Sequence, residues 1–271
     1  MEFFVIEEGR RENMKKHFAV VTGASSGIGK EFARQLAREG YPLVLVARRK
    51  ERLEELKAEL EKKGTTCLLI TADLSKTAEC IRLVEELEEI PVSIFINNAG
   101  FGDCGSFLDT DAKKELEMID VNIKAMHLLM KKMLYSMEQQ GHGYLLNVAS
   151  SAGLLPAGPY MATYYATKAY VASLTRAVAA ELKQKNSNVY VGALCPGPVD
   201  TEFNDVANVE FALPGITPEY CASYAISQMK RRKTVIVPTL TLKAATTFAR
   251  FIPQKLLIDI VGHQQKKKLT K

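Results

Sequence analysis

The chain contains no tryptophan and no apolar run that approaches the roughly 18 residues needed to span a bilayer. Near its start only the stretch Phe3 to Ile6 is continuously apolar, which is too short for the hydrophobic part of a signal peptide. Cysteine is scarce: the five residues are widely spaced and include no C-x-x-C pair, which argues against a disulfide framework and redox exchange. We therefore expect a cytoplasmic protein in a reducing compartment.

Two further classes of function lack their usual residues. The histidines at 17, 127, 142 and 263 are isolated and no H-E-x-x-H helix occurs, so we predict no metal site. The net charge is +5, but the last six residues contain four lysines, so the body of the protein is nearly neutral. Because Lys and Arg are neither spread over one face nor interleaved with aromatic residues, we expect no nucleic-acid binding.

Short apolar runs alternate with charged stretches of helical period throughout the chain. The apolar runs are 18–22, 43–47, 67–71, 93–97, 144–149, 189–194 and 234–237. The helical stretches are 27–39, 50–63, 77–89, 111–138 and 160–185. Such alternation predicts an α/β fold: a doubly wound parallel seven-stranded sheet with helices on both faces, Rossmann-like. Since no Pro-, Gly- or Ser-rich linker divides the chain, we predict a single domain over residues 1–271.

Two segments depart from this alternation. Residues 197–220 are irregular and predict a mobile substrate loop, with an ordinary surface connection as the alternative. Apolar residues in this loop suggest an apolar substrate body: Phe203, Phe211, Leu213 and Ile216.

The second segment, 243–263, predicts an amphipathic helical region interrupted by Pro253. Its apolar side chains lie near one helical face: Phe248, Phe251, Ile252, Leu256, Leu257 and Ile260. Packing in the core or in a dimer is one explanation of this face. Weak contact with an anionic membrane is the other, because a basic tail follows, formed by Lys266, Lys267, Lys268 and Lys271.

A glycine-rich turn follows the first apolar run and leads directly into a helical pattern. It reads TGASSGIG over 22–29, with the spacing G-x-x-x-G-x-G rather than the common G-x-G-x-x-G. Glycines let the backbone approach a pyrophosphate, whose negative charge is stabilised at the helix N-terminus. In this strand–turn–helix context the motif predicts a dinucleotide site. Its residues would be Gly23, Ser25, Ser26, Gly27, Ile28 and Gly29.

The residues after the second and third strands indicate which dinucleotide would bind. Arg48 stands nineteen residues after Gly29, where an NAD site would place an acidic residue. Because arginine pairs with a 2′-phosphate, Arg48 favours NADP(H); alternatively, Arg48 and Arg49 are solvated charges at a helix start. Asp73 has two interpretations of equal weight: an acceptor for the adenine amino group, or a cap for the next helix.

One tyrosine–lysine pair has a spacing suited to acid–base catalysis. Tyr164 and Lys168 are i and i+4 in a helical stretch and therefore share one face, whereas Tyr165 would need a base at Ala169. A phenol of pKa about 10 is a poor base at neutral pH. An ammonium at about 4 Å in an effective dielectric near 20 contributes roughly 4 kcal/mol, enough to bring that pKa to about 7. Taken alone, the tyrosine–lysine pair has a second interpretation, a purely structural role without catalysis.

Taken together, these motifs resemble the short-chain dehydrogenase/reductase family over about residues 18–230. The resemblance rests on TGASSGIG, Asn97-Asn98-Ala99-Gly100, Asn122, the serines near 150, Tyr164 with Lys168, and Pro196-Gly197. It is closest to the branch with hydroxysteroid dehydrogenases and 3-ketoacyl reductases. The resemblance implies an NADP(H)-dependent oxidoreductase that interconverts a secondary alcohol and a ketone on a lipophilic substrate. It also implies a homodimer or homotetramer built on 111–138 and 160–185.

The family pattern implies a role for each matching residue. Tyr164 would be the acid/base, Lys168 its electrostatic partner and a ligand of the nicotinamide ribose, and Asn122 the holder of a proton-relay water. A serine would steady the substrate oxygen. Ser150 ends the strand motif, whereas Ser151 lies the usual thirteen residues before Tyr164; we favour Ser150 because strand register is harder to shift than a loop. The other cofactor residues would be Asp73, Leu74, Asn98, Ala99, Gly100, Pro196, Gly197, Val199 and Thr201.

Two other classes of function stay open at this point. One is a nucleotide-binding regulator or scaffold without turnover, against which the intact Asn, Ser, Tyr and Lys set argues. The other is a lyase or epimerase, whose usual layout differs. Substrate identity does not follow from the fold and the cofactor motif.

Overall fold

The computed structural model describes residues 17–203, 207 and 215–266. Its strands form one parallel sheet of seven in the order β3-β2-β1-β4-β5-β6-β7. The strands are β1 Phe18–Thr22, β2 Leu43–Ala47, β3 Cys67–Thr71, β4 Val92–Asn97, β5 Gly143–Val148, β6 Val189–Leu194 and β7 Val235–Ile236. The predicted Rossmann-like sheet is confirmed, with each predicted strand within two residues of its place.

Helices cover both faces of the sheet. In the described ranges they are α1 Gly27–Arg38, α2 Lys50–Glu61, α3 Thr77–Glu88, α4 Ala112–Ile119, α5 Met126–Gln140, α6 Ala162–Gln184, α7 Pro218–Lys230, α8 Leu240–Phe248 and α9 Gln254–Lys266. The predicted helix over 111–138 is divided, because a π-helical turn, Asp120–Ala125, joins α4 to α5. The last part of the predicted loop 197–220 is also helical, since α7 begins at Pro218.

The core has two apolar layers because alternate strand residues point to opposite faces of the sheet. Val20 and Phe95 pack in the layer that contains α3, α5 and α6. Val21 and Leu45 pack in the layer that contains α1, α2 and α7. The chain runs outward from β1 in both directions, so a crevice opens between β1 and β4 at the carboxyl ends of the strands.

The C-terminal helices fold back over this end of the sheet. Leu257 and Val261 of α9 are buried beside Met161 and Tyr164 in a third apolar cluster. The predicted amphipathic segment is therefore α8 and α9, which are separated at Pro253. Core packing, one explanation of the predicted apolar face, does not hold for four of its members, which are exposed: Phe248, Phe251, Leu256 and Ile260. Within the described helices, none is long and apolar enough to cross a bilayer.

Candidate active site

A cavity of about 800 Å³ opens at the carboxyl ends of the strands, where the strand order reverses. Its size is in the range of small-molecule sites. The predicted site residues that line it are Gly23, Ser25, Ser26, Gly27, Ile28, Gly29, Arg48, Asp73, Leu74, Asn98, Ala99, Gly100, Ser150, Tyr164, Lys168, Pro196, Gly197, Val199 and Thr201. Asn122 does not line it. The fold thus brings together residues from the segments that follow six of the strands, including Tyr164 and Lys168 of α6.

The glycine turn forms one end of the cavity. Gly23 has a φ of +66°, in the left-handed region that favours glycine. At Gly29 a β-carbon would lie 2.2 Å from the carbonyl oxygen of Gly23, so only glycine allows α1 to start this close to the strand. The turn leaves an open approach to the N-terminus of α1, which suits the pyrophosphate of a dinucleotide.

Asn98 fixes the glycine turn to β4. Its side-chain nitrogen donates to the carbonyl oxygens of Thr22, at 2.9 Å, and Gly23, at 3.3 Å. The Thr22 hydroxyl accepts in return from the backbone nitrogens of Asn98, at 2.9 Å, and Ala99, at 3.0 Å. The Asn97-Asn98-Ala99-Gly100 motif therefore holds one wall of the cavity against the glycine turn.

The two arginines after β2 point in different directions. Arg48 forms an exposed ion pair with Glu117, with 3.1 Å between Nη1 and Oε1. Arg49 instead donates to the hydroxyls of Ser25, at 3.1 Å, and Ser26, at 2.8 Å. Both arginines line the cavity, but only Arg49 reaches the glycine turn. The sequence points to Arg48 through its distance from Gly29. The direction of the two neighbouring side chains at the strand end carries no sequence signal, so Arg49 could not be distinguished from it.

Asp73 does not cap the helix that follows it, so one of its two interpretations is wrong. Oδ1 accepts from the backbone nitrogen of Ser75 at 3.2 Å and from its hydroxyl at 2.8 Å, whereas the residue before α3 is Lys76. Burial raises the pKa of Asp73, but these hydrogen bonds and the charges of Arg48 and Lys76 hold it below its ordinary value. Asp73 therefore presents an ionised carboxylate to the cavity.

Tyr164 lies in the first turn of α6 and is buried. Burial raises the pKa of Tyr164 to about 12, although a hydrogen bond with Ser150 opposes this effect. The expected lowering of this pKa by Lys168 is not found, since Lys168 is not among the groups that act on it. Tyr164 consequently retains its proton at neutral pH.

Lys168 lies one turn further along α6 and faces the same cavity. Nζ donates to the carbonyl oxygen of Val148 at 3.0 Å and lies 5.8 Å from the centroid of the Tyr164 ring. Burial lowers the pKa of Lys168 to about 8. The lysine therefore remains mainly protonated at neutral pH beside a neutral phenol.

The two candidate serines have different surroundings. Ser150 is 9% exposed, and its hydroxyl accepts from the backbone nitrogen of Ala152 at 3.2 Å and lowers the pKa of Tyr164. Ser151 begins a 3₁₀ turn and donates from its backbone to the carbonyl oxygen of Pro196 at 2.8 Å. Both line the cavity, but of the two it is Ser150 that affects the pKa of Tyr164.

Asn122 lies in the π-helical turn, behind the cavity wall. Its side-chain nitrogen donates to the Phe101 carbonyl oxygen at 2.9 Å and to the Thr167 hydroxyl at 3.1 Å. Its side-chain oxygen accepts from the Phe101 backbone nitrogen at 3.1 Å. These hydrogen bonds position the Phe101 loop against α6, and they use one of the two lone pairs of the side-chain oxygen.

Aromatic and apolar side chains form the remaining wall. The ring of Phe203 lies 5.6 Å from that of Tyr164, measured between centroids. Ile216 pairs with Val199 in a β-bridge, while Phe211 and Leu213 lie outside the described residues. Sequence reasoning missed several wall residues: Phe101, Leu155, Met161, Tyr165, Leu242, Gln264 and Gln265.

Two of the histidines that look isolated in the sequence lie together. The rings of His17 and His142 stack with their centroids 5.3 Å apart. They precede β1 and β5, so they lie at the amino end of the sheet, away from the cavity. The prediction that they are isolated is therefore wrong for this pair.

The sequence matches the model of the short chain dehydrogenase family over residues 17–210. This chain belongs to the short-chain dehydrogenase family. The family resemblance inferred from the motifs is thereby confirmed, and the protein is an oxidoreductase of this family.

Known members with similar sequences include two very-long-chain 3-oxoacyl-CoA reductases. The enzyme from Anas platyrhynchos is 33% identical over 215 residues, which cover 77% of this chain and 67% of that protein. The enzyme from Neurospora crassa is 35% identical over 188 residues, 67% of this chain but only 56% of its own length. The chain thus spans little more than half the length of some of its relatives.

Solved structures of the family share the architecture. A short-chain dehydrogenase from Sphingobium yanoikuyae, solved in complex with NADPH, is 32% identical, with a TM-score of 0.80. The superposition covers 90% of this short-chain dehydrogenase and 96% of that protein. The seven-stranded sheet and the flanking helices are therefore those of the family.

Proposed function

We propose that this protein uses NADPH to reduce a ketone on a lipophilic substrate to a secondary alcohol, and catalyses the reverse reaction with NADP⁺. The observation that carries the proposal is the position of Tyr164. This buried, protonated phenol has Ser150 near enough to lower its pKa and Lys168 one helical turn away, and it lines the same cavity as the glycine turn.

The residues at the glycine turn fit NADP(H). Gly23 and Gly29 leave the space that a β-carbon would fill, beside the N-terminus of α1. Arg49 extends over Ser25 and Ser26, where its guanidinium suits the 2′-phosphate, and Arg48 adds a second positive charge at the cavity edge. The structural relative from Sphingobium yanoikuyae, which was solved with NADPH, supports this choice of cofactor.

The remaining predicted cofactor residues line the route from the turn to Tyr164. Asp73 offers an acceptor suited to the adenine amino group, and Lys168 offers a donor for the ribose of the nicotinamide. Asn98, Ala99 and Gly100 form one wall. The opposite wall contains Pro196, Gly197, Val199 and Thr201.

The chemistry follows from the protonation states of the site. When bound, NADPH supplies a hydride for the carbonyl carbon. Tyr164 donates its proton to the oxygen on which negative charge develops, and Ser150 donates a hydrogen bond to that oxygen. Lys168, protonated at neutral pH, stabilises the phenolate that remains. Asn122 acts as a positioning residue, because its hydrogen bonds join the Phe101 loop to α6.

A lipophilic substrate fits the rest of the cavity. Phe101, Leu155, Met161 and Phe203 line the space next to Tyr164. Two relatives are named for 3-oxoacyl-CoA reduction, which supports fatty-acyl ketones as one class to test. Hydroxysteroids form the second class, since the cavity wall offers mainly apolar contacts.

We also propose that the α8–α9 region contacts an anionic membrane surface. It exposes a group of apolar side chains, Leu240, Phe248, Phe251, Leu256 and Ile260. Exposed basic residues lie in the same region at Arg250, Lys255 and Lys266. Apolar insertion combined with basic charge is typical of weak interfacial binding. The tail residues Lys267, Lys268 and Lys271 lie outside the described part of the chain.

We propose a homodimer or homotetramer built on the faces of α4, α5 and α6. These helices expose Leu116, Tyr135 and Tyr170, and buried aromatic contact area is a usual feature of such interfaces. Light scattering should then give two or four times the chain mass of 30.0 kDa. All five cysteines are buried, and we infer that they are thiols that act in the cytosol, a reducing compartment.

The first experiment is a calorimetric titration with NADPH and NADH, followed by absorbance at 340 nm with steroid, 3-oxoacyl and small ketones. We expect tighter binding of NADPH and turnover of at least one lipophilic class. Binding of neither nucleotide would contradict the proposal, and binding without turnover of any ketone would favour a nucleotide-binding regulator.

A further inference from the structure

Tyr165 contacts a residue near the C-terminal end of the described chain. Gln265 of α9 donates from Nε2 to the phenol oxygen of Tyr165 at 2.6 Å. Both side chains are buried and line the cavity. The rings of Tyr164 and Tyr165 stand edge to face with centroids 6.4 Å apart, so one bound molecule can contact both.

This pair leaves one donor and one acceptor unused. The Tyr165 oxygen accepts from Gln265, so the phenol hydrogen remains available to a ligand. Oε1 of Gln265 is buried and has no hydrogen-bond partner among the described residues. Because buried polar groups are normally paired, this amide oxygen indicates a missing partner in the cavity. A hydroxyl satisfies both groups at once, since it accepts one hydrogen bond and donates another.

The pair is held rigidly against the loop before α6. At Gly158 a β-carbon would lie 2.3 Å from the Tyr165 ring, so the ring packs directly on the backbone there. At Gly262 of α9 a β-carbon would lie 3.1 Å from the Pro159 side chain. The same short loop therefore supports both members of the pair, which is a condition for selective hydrogen bonding.

We propose that Tyr165 and Gln265 form a polar subsite that binds a hydroxyl group carried by the substrate apart from its reacting carbonyl. The inference rests on the proposed function and extends it to the substrate. Tyr165 donates to the hydroxyl oxygen, and the hydroxyl donates to Oε1 of Gln265. The surrounding wall is apolar at Met161 and Leu155, so the preferred substrate is a lipophilic ketone with one further hydroxyl.

The test measures binding separately from turnover. Octan-2-one and its monohydroxy derivatives, with the hydroxyl at each carbon from C4 to C8, are titrated by calorimetry into protein saturated with NADP⁺, which cannot reduce the ketone. Absorbance at 340 nm is followed in the same samples, and a derivative whose hydroxyl is oxidised is left out of the comparison. We expect one position of the hydroxyl to improve affinity by about 10- to 100-fold over octan-2-one. The ratio of the two affinities should fall towards 1 in Tyr165→Phe and Gln265→Met, and remain unchanged in Tyr144→Phe, a half-buried tyrosine of β5 that does not line the cavity.

Equal affinities across the panel in the wild-type protein would overturn the subsite, as would an advantage that persists in both variants. The wild-type panel decides even if one variant fails to fold. Turnover of the same ketones with NADPH is followed separately at 340 nm. Hydroxyl-dependent binding without turnover would contradict the proposed function and leave the subsite supported, whereas turnover without hydroxyl preference would do the reverse.

Discussion

The ammonium of Lys168 lies 5.8 Å from the centre of the Tyr164 ring, and burial moves the pKa values of the two side chains apart. The pKa of the phenol rises to about 12, while that of the ammonium falls to about 8. The first group to change charge on raising the pH is therefore Lys168, although free lysine and tyrosine titrate close together.

We predict that kcat/KM for ketone reduction falls as the pH rises through about 8, because Lys168 then loses the charge that stabilises the Tyr164 phenolate. Stability should change in the opposite direction. The pKa in the folded state lies below the ordinary value of 10.5, so this group makes the free energy of unfolding increase between about pH 8 and 10.5. Urea titrations and initial rates over this range measure both effects. In Lys168→Met neither slope should appear, and a wild-type rate that is flat to pH 10 would refute the assignment.

Replacing Tyr164 by Phe removes the proton donor and preserves the ring. We expect turnover to fall by about 10²- to 10⁴-fold, the usual contribution of a general acid, with NADPH still bound. Initial rates at 340 nm and calorimetry provide the two measurements. Tyr144→Phe, a half-buried tyrosine of β5 that does not line the cavity, serves as the matched control and should retain the rate. Unchanged biological output from a variant without turnover would indicate a regulator, and an unchanged rate would remove Tyr164 from the mechanism.

The adjacent serines provide a paired test. Ser150→Ala removes the hydroxyl that we expect to donate to the substrate oxygen as its negative charge develops, so the expected loss in kcat is about 10- to 100-fold, the effect of a lost charge-assisted hydrogen bond. Ser151→Ala leaves the backbone bond to Pro196 intact and should stay near the wild-type rate. Steady-state kinetics with one ketone distinguishes the two positions. The reverse order of effects would assign the role to Ser151.

Arg49 and Arg48 make a second adjacent pair with different expectations. Arg49→Ala should reduce the preference for NADPH over NADH by about 10- to 100-fold, because the guanidinium over Ser25 and Ser26 is lost. Both arginines carry an ion pair, Arg48 with Glu117 and Arg49 with Glu202, but the Arg48 guanidinium makes no hydrogen bond to the glycine turn, so Arg48→Ala should have the smaller effect. The ratio of the two dissociation constants, measured by calorimetry, reports the preference directly. If only Arg48→Ala changes that ratio, Arg48 is the residue that selects NADPH over NADH.

The exposed phenylalanines of the C-terminal region allow a test of membrane contact. We expect the protein to float with liposomes that contain anionic lipid, and the double change Phe248→Ser with Phe251→Ser to reduce the floating fraction several-fold, about the effect of losing two inserted aromatic rings. Both side chains are more than 60% exposed, at 67% and 81%, so folding should be unaffected. Neutral liposomes are the control. Absence of the wild-type protein from anionic liposomes would eliminate the membrane contact.

The architecture could be predicted because its signals are local. Runs such as 43–47 are apolar at every position, as a strand covered on both faces requires, and all five β2 residues are indeed buried. The start of α7 was also readable: Thr217 caps the helix, Pro218 follows at its first position and Glu219 stands in the first turn. That signal lies inside a stretch predicted as loop and was missed.

The site could be predicted only down to neighbouring positions. The chain pattern places arginines at 48 and 49 and serines at 150 and 151, but which of each pair reaches the turn or Tyr164 depends on side-chain direction in the folded protein. The protonation state of Tyr164 was also beyond reach, because it depends on burial by several distant segments. Tyr165 and Gln265 are 100 residues apart in sequence, so no spacing links them.

The two ends of the cavity originate from separate parts of the chain, the glycine turn within residues 22–29 and the substrate wall largely from Phe101, Phe203 and the α8–α9 region. Substitutions in α9 can alter which molecule enters without disturbing the grip on the nucleotide. Evolution can therefore change the substrate specificity of such an enzyme while the cofactor that it uses stays the same.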